Sequence, residues 1–295
     1  MPLMTTPAKD HVYVGMDSGT RQYEISPQLV QHYADAIHDH NPWYVGSSPF
    51  GGPVAPALIR HSEMYVDRRW YLPYIYGNLH ARQEWELFSP IKVGERVSTH
   101  SVVTDRYEKR GRLYVVCEVL ILSADGRLCA RSRTHQSFLR EEATTGVVVD
   151  KSREKAAGRR FEVGQGKTLE TLAPIEKEVD LDMCMAFSGP GKNYHTDREE
   201  AIKLGFPEVV VQGMMSICFI SELLTRRFGE GWYCGGKMNV NLVNVLWGGE
   251  KVSSHGVIKE IASEGSRQRA QLEVWCQKAD GTVITVGSAS AVVNS

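Results

Sequence analysis

The chain has 295 residues, 42% of them hydrophobic, and a formal net charge of -1. That length suits one large domain or two ordinary ones, with enough apolar mass for a sizeable core. The near-neutral balance gives no electrostatic reason for a nucleic-acid partner, and no stretch reaches the roughly 18 apolar residues of a membrane span.

In chain order, residues 1–10 carry no apolar run and do not read as a secretory signal. Ser26 is a natural N-cap with Pro27 in the first helical position, and Leu29, Val30, Tyr33, Ala34 and Ile37 recur at helical spacing. A polar loop from Ala36 to Tyr44 follows. After the Gly51-Gly52-Pro53 breaker, a second helix is expected over residues 55–70. Tyr71, Tyr74 and Tyr76 beyond it suit either an acyl pocket or the edge of the core. A β-meander then runs over 93–106, 113–123 and 128–139, with turns at Gly111 and at Asp125-Gly126. Residues 140–172 are polar and charged, a surface connector with one added strand.

The second half continues with a Gly-rich loop from Phe187 to Asp197. Asp197 then caps a short helix that ends at Gly205. A long apolar helix spans Gly213 to Phe228, closed by Gly229 after Arg226 and Arg227. A second meander follows over 252–261, 268–278 and 282–293. The basic pairs Arg68-Arg69 and Arg226-Arg227 read as solvated helix ends. Six cysteines form no CxxC pair, and several sit in apolar runs, which suggests free thiols and a reduced, cytoplasmic setting.

Two short matches reveal an internal repeat. Gly94-Glu95-Arg96-Val97-Ser98 resembles Gly249-Glu250-Lys251-Val252-Ser253, an offset of 249 − 94 = 155. Ala124-Asp125-Gly126 recurs as Ala279-Asp280-Gly281, an offset of 279 − 124 = 155. The expectation is an α+β protein of two fused units, each a long apolar helix wrapped by a curved antiparallel sheet. Their bounds are residues 1–140 and 173–295, with a linker at 141–172.

The loops before the long helices carry a resemblance. Asp39-x-Asn41-Pro42 resembles the start of the Asp-x-Asn-Pro-x-His signature of MaoC-like, R-specific enoyl-CoA hydratases and dehydratases. His195-Thr196-Asp197, Ala201, Gly205-Phe206-Pro207 and Gly213-Met214 resemble the rest of it, and the Gly94-Glu95 and Gly249-Glu250 corners also fit. The resemblance implies the double hot-dog fold and hydration or dehydration of an acyl-CoA-type thioester, with no metal or redox cofactor. In such enzymes an Asp and a His hold one water against the substrate double bond. A backbone N–H at a helix start holds the thioester oxygen, a role that falls on Gly213.

Neither half has the whole signature. The first half has Asp39 but places Tyr44 at the His position. The second has His195 but places Pro190 at the Asp position, with Lys192 and Asn193 where Asn and Pro belong. The second half is the favoured site, with His195 as acid–base group and Asn193 or Tyr194 as helper. A first-half site would use Asp39 with Tyr44, and a shared Asp39–His195 site is geometrically doubtful. A hot-dog thioesterase with Asp39 as base and a non-catalytic acyl-CoA-binding subunit are the alternatives. His38, His40, His61, His80 and His135 lie scattered and read as surface or structural residues, without metal-ligand spacing. The acyl group, the direction of reaction and the oligomeric state, a homodimer included, stay open.

Overall fold

The structure is a computed structural model that describes residues 11–72, 78–139 and 161–293. In the first half, β1 (Asp17–Glu24) is followed by α1 (Pro27–Ile37), then by β2 (Leu79–Leu87), β3 (Arg96–Lys109), β4 (Arg112–Ser123) and β5 (Leu128–Leu139). In the second, β6 (Glu170–Thr171) and β7 (Ile175–Glu178) precede α2 (Leu181–Ser188), α3 (Arg198–Lys203), α4 (Gly213–Phe228) and α5 (Glu230–Tyr233). β8 (Lys237–Leu242), β9 (Lys251–Glu264), β10 (Arg267–Lys278) and β11 (Val283–Val293) complete it.

One antiparallel sheet joins the halves in the order β1-β3-β4-β5-β2-β8-β11-β10-β9-β6, with β7 also pairing β9. The order is palindromic about the β2–β8 seam, where Glu84 stands opposite Asn239. Since 84 + 155 = 239, each residue faces its own repeat equivalent, and a pseudo-twofold axis passes through this pair. Arg82↔Asn241 and Glu86↔Lys237 are exchanged by the same axis. Corner hydrogen bonds repeat as well: Gly94 N donates to Ile25 O and Gly249 N to Val179 O, both at 2.7 Å.

The local chemistry follows the expected rules. Ser26 Oγ accepts from Leu29 N at the start of α1, and Asp197 Oδ1 accepts from Glu199 N and Glu200 N at the start of α3. The β3–β4 hairpin turns through Arg110 and Gly111, both at positive φ, as a two-residue turn of matching twist requires.

Helix α4 is the axis of the second half, with thirteen of its sixteen residues buried, so it has no solvated face. Its buried hydroxyls are satisfied: Ser216 Oγ bonds Gly213 O and Thr285 Oγ1, Ser221 Oγ accepts from Trp232 Nε1, and Thr225 Oγ1 donates to Ser221 O. Gly256 on β9 lets Leu172 and Leu223 pack against the bare strand.

The first half departs from expectation. No long helix covers 55–70; the only regular piece there is a 3-10 turn at Glu63–Tyr65. Successive backbone bonds all span three residues, as in Ile59 N to Pro56 O, His61 N to Leu58 O and Glu63 N to Arg60 O. Glu63 supplies a reason. Its carboxylate is buried, accepts from Tyr23 Oη and Thr99 Oγ1, and pairs with Arg60. Pulling one acidic side chain to partners on β1 and β3 competes with a helical path. Trp70 Nε1 donates to Met64 O at 2.7 Å and so satisfies a backbone carbonyl directly. Arg68 and Arg69 therefore do not end a helix; Arg69 instead pairs with Asp67.

Tyr74, Tyr76 and most of the 140–172 connector lie outside the described residues, whereas its far end does supply the strand β6. Among the described residues no helix is long and apolar enough to cross a membrane, and the six cysteines are free.

Candidate active site

The repeat assigns equivalent places to Tyr44 and His195. Val54 N donates to Trp43 O at 2.9 Å, and Val210 N donates to Tyr194 O at 3.1 Å. Val54 then bridges Lys92, and Val210 bridges Trp247. Tyr44 and His195 each follow the residue that accepts this bond.

In the second half the loop is held by Asn193. Its Oδ1 accepts from His195 N at 2.8 Å, and its Nδ2 donates to Ser188 O and Gly191 O. The Asn193 side chain is therefore committed to loop shape. Tyr194 lies against the His195 ring, 3.9 Å between centroids, and against Phe206. His195 Nδ1 lies 2.7 Å from Val210 O. A carbonyl only accepts, so Nδ1 carries the proton and Nε2 keeps a lone pair. Burial lowers the imidazole pKa to about 4, with Arg68 adding to the shift, so the ring is neutral at pH 7.

Val210 leads in three residues to Gly213, the first residue of α4. Among the described residues the Gly213 and Met214 amides have no assigned acceptor, as the open end of a helix implies. A Cβ on Gly213 would overlap Leu242 and lie 3.8 Å from His80 Nδ1. The turns of the first half close over this end of α4: Ser62 Oγ donates to Gln212 Oε1 at 3.5 Å, and Tyr65 stands 6.2 Å from the His80 ring. Burial raises the hydroxyl pKa of Tyr65, Tyr71 and Tyr194, and the charge of Arg68 opposes that rise while adding to the fall at His195, which puts all four within its electrostatic reach.

Asp39 and Tyr44 come together as their spacing suggests, with Tyr44 Oη donating to Asp39 Oδ2 at 2.6 Å. Both are buried, at 4% and 5% exposure. Burial raises the Asp39 carboxyl to about 6, and the charge of Glu222 adds to it, while the Tyr44 bond, Lys177 and Arg226 act the other way. Lys177 Nζ donates to His38 O at 2.7 Å and pairs with Glu222 at 2.9 Å; Arg226 pairs with Glu222 as well. The first-half loop is thus fastened to the C-terminal turns of α4. Glu222 lies nine residues beyond Gly213, about 13 Å along the axis at 1.5 Å per residue. Asp39 and His195 consequently sit towards opposite ends of one helix and form no shared site. An open hollow of about 360 Å³ lies beside Tyr44, lined by Pro27, Gln31, Val45, Pro53 and Val93 among others.

Comparison with known proteins follows the same lines. The family model described as FAS1-like, dehydratase domain region, matches residues 12–131. No curated protein sequence matches the chain. A solved MaoC-like dehydratase is 16% identical with a TM-score of 0.73, covering 97% of this chain and 99% of its own. A MaoC-like dehydratase from Phytophthora capsici is 16% identical, TM-score 0.67, covering 95% and 96%. A conserved hypothetical protein of Mycobacterium tuberculosis described as having a double hotdog fold is 13% identical, TM-score 0.63, covering 97% and 98%. At these identities the likeness is one of fold.

Proposed function

We propose that the chain, whose fold is that of solved MaoC-like dehydratases and whose residues 12–131 match a FAS1-like dehydratase region, is a hydro-lyase that adds or removes water on an acyl-CoA-type thioester, working at the second-half site. The two units at 1–140 and 173–295, joined by the 141–172 linker, are part of this reading. The observation that carries it is the His195 ring, whose Nδ1 is held by Val210 O and whose Nε2 keeps its lone pair; Val210 itself lies three residues before Gly213, where the open amides of α4 begin.

In hydration, His195 Nε2 accepts a proton from water as the oxygen attacks the β-carbon. Charge moves to the thioester oxygen, which the Gly213 N–H and the positive end of α4 stabilise. One such donor contributes on the order of 3 kcal/mol at the transition state. Protonation of the α-carbon completes the addition. Tyr194 packs on His195 and fixes its ring, and Asn193 shapes the loop. The second half is favoured over the first because no α-helix follows Tyr44 as α4 follows His195, and Asp39 Oδ2 accepts from the Tyr44 hydroxyl.

The test is a panel of 2-enoyl-CoA and 3-hydroxyacyl-CoA thioesters followed by enoyl absorbance and by free thiol. The expected result is an absorbance change without thiol. Thiol release would instead support a thioesterase based on Asp39. Binding without turnover would support a non-catalytic acyl-CoA-binding subunit.

A further inference from the structure

Helix α4 is buried along nearly its whole length, yet Gln212 and Gly213 at its start are only partly buried, between the buried Val211 and Met214. Leu242 borders this gap and is partly exposed as well. Its Cδ2 lies 2.1 Å from the point where a Cβ on Gly213 would stand. A Cβ lies about 2.5 Å from its own nitrogen, so Cδ2 is within about 4.6 Å of the Gly213 nitrogen. Helical Cα–Cβ bonds tilt towards the N-terminus, the end to which the free amides of a first turn also point.

The sheet holds Leu242 on this side. Leu242 ends β8 and stands opposite Thr285 on β11, and directly opposite residues of a ladder share a face. Thr285 Oγ1 bonds Ser216 Oγ at 2.7 Å, and Ser216 Oγ donates to Gly213 O at 2.8 Å. The Leu242 side chain therefore faces the first turn of α4. Its repeat equivalent, at 242 − 155 = 87, is Leu87, which is 4% exposed. The same residue type is core in the first half and the wall of an opening in the second.

We propose that Leu242 sets the substrate class of the second-half site by excluding acyl groups that carry a substituent on the α-carbon; this rests on the hydro-lyase reading above. With the thioester oxygen on the Gly213 N–H, about 2.9 Å from the nitrogen, an α-methyl is three bonds from that oxygen and within about 3.6 Å of it. The methyl and Leu242 Cδ2 then compete for one side of the amide, because carbon atoms pack no closer than about 3.5 Å. An α-hydrogen avoids the conflict. The substrates are accordingly 2-enoyl or 3-hydroxyacyl thioesters that are unbranched at the α-carbon.

The experiment measures kcat/KM for crotonyl-CoA and for 2-methylcrotonyl-CoA in the wild type, Leu242→Ala and Leu242→Val. The wild type should favour crotonyl-CoA by at least about thirtyfold, within the range that one methyl group commands in a close-fitting pocket. Leu242→Ala should lower that ratio by at least about tenfold, chiefly through a higher kcat/KM for the methyl substrate. Leu242→Val removes less volume and should lower the ratio by about threefold, which keeps the test open if the alanine variant fails to fold. An unchanged ratio in a folded variant, or a wild type that handles both substrates equally, overturns the role of Leu242 and leaves the hydro-lyase reading intact. A wild type inert on both thioesters and on 3-hydroxybutyryl-CoA overturns that reading, and Leu242 with it.

Discussion

In the first half, the position that the signature gives to His is occupied by Tyr44, whose hydroxyl donates to the buried Asp39 carboxyl. That pair was legible from spacing alone, because five residues separate Asp from His in the signature and Asp39 from Tyr44 here. Its surroundings were not legible, since Lys177, Glu222 and Arg226 come from distant sequence. Their charges act on Asp39 across the two halves, with a consequence for stability. The Asp39 carboxyl is raised from 3.8 to about 6 in the folded state, chiefly by burial and then by Glu222. The folded chain therefore binds this proton more tightly than the unfolded chain. Its effect is neutral below about pH 4, and stability is lost as pH rises through the folded value. A shift of two units corresponds to about 3 kcal/mol. Asp39→Asn keeps an acceptor for Tyr44 and removes the titration. Denaturant unfolding should show the variant gaining about 3 kcal/mol on the wild type between pH 4 and pH 7. A pH-independent difference would contradict the burial argument. His80 illustrates the opposite case: its link to Gln83 depends on a bulge at Ala81, which no alternation pattern in the sequence announces.

At the scale of elements, α4 was readable to the residue, from the Gly213 start to the Gly229 stop, because an all-round apolar run has one stable environment. The matching helix over 55–70 was expected and is absent. Its apolar positions are real, and Leu58, Ile59, Met64 and Trp70 are buried. What the pattern could not reveal is that Glu63 would be drawn into the core by Arg60, Tyr23 and Thr99. The loss has a functional side. Turns in place of a helix remove one set of open amides and let Ser62 and Tyr65 reach over the start of α4. Gly213→Ala tests the close approach there. The added methyl meets the tip of Leu242, which can shift, so the melting temperature should change by only a few degrees. It also crowds the Gly213 amide, and kcat should fall by roughly tenfold or more, since oxyanion sites tolerate little displacement. Unchanged turnover would remove Gly213 from the site.

For the molecule as a whole, the repeat offset of 155 read from two short motifs is also the separation of the central pair of the antiparallel β2–β8 seam, Glu84 and Asn239. Duplication was legible because corners and hairpin turns need particular residues, Gly94 and Gly249 among them, both at positive φ. The joining of both sheets into one was not legible, because the β2–β8 pairing brings together residues from opposite halves that no local pattern relates. The duplication supplies a frame in which the halves carry different tasks. In the proposed reading the first half contributes the loop that Lys177 ties to α4 through His38 O, and a roof through its turns, while the second contributes His195 and the start of α4. The most direct test is the rate of crotonyl-CoA hydration by His195→Ala and Asp39→Asn, measured side by side. The division of labour predicts that His195→Ala loses at least about a hundredfold in kcat while Asp39→Asn stays within a few-fold of wild type. Loss of activity in Asp39→Asn with turnover preserved in His195→Ala would contradict it and move the chemistry to the first half.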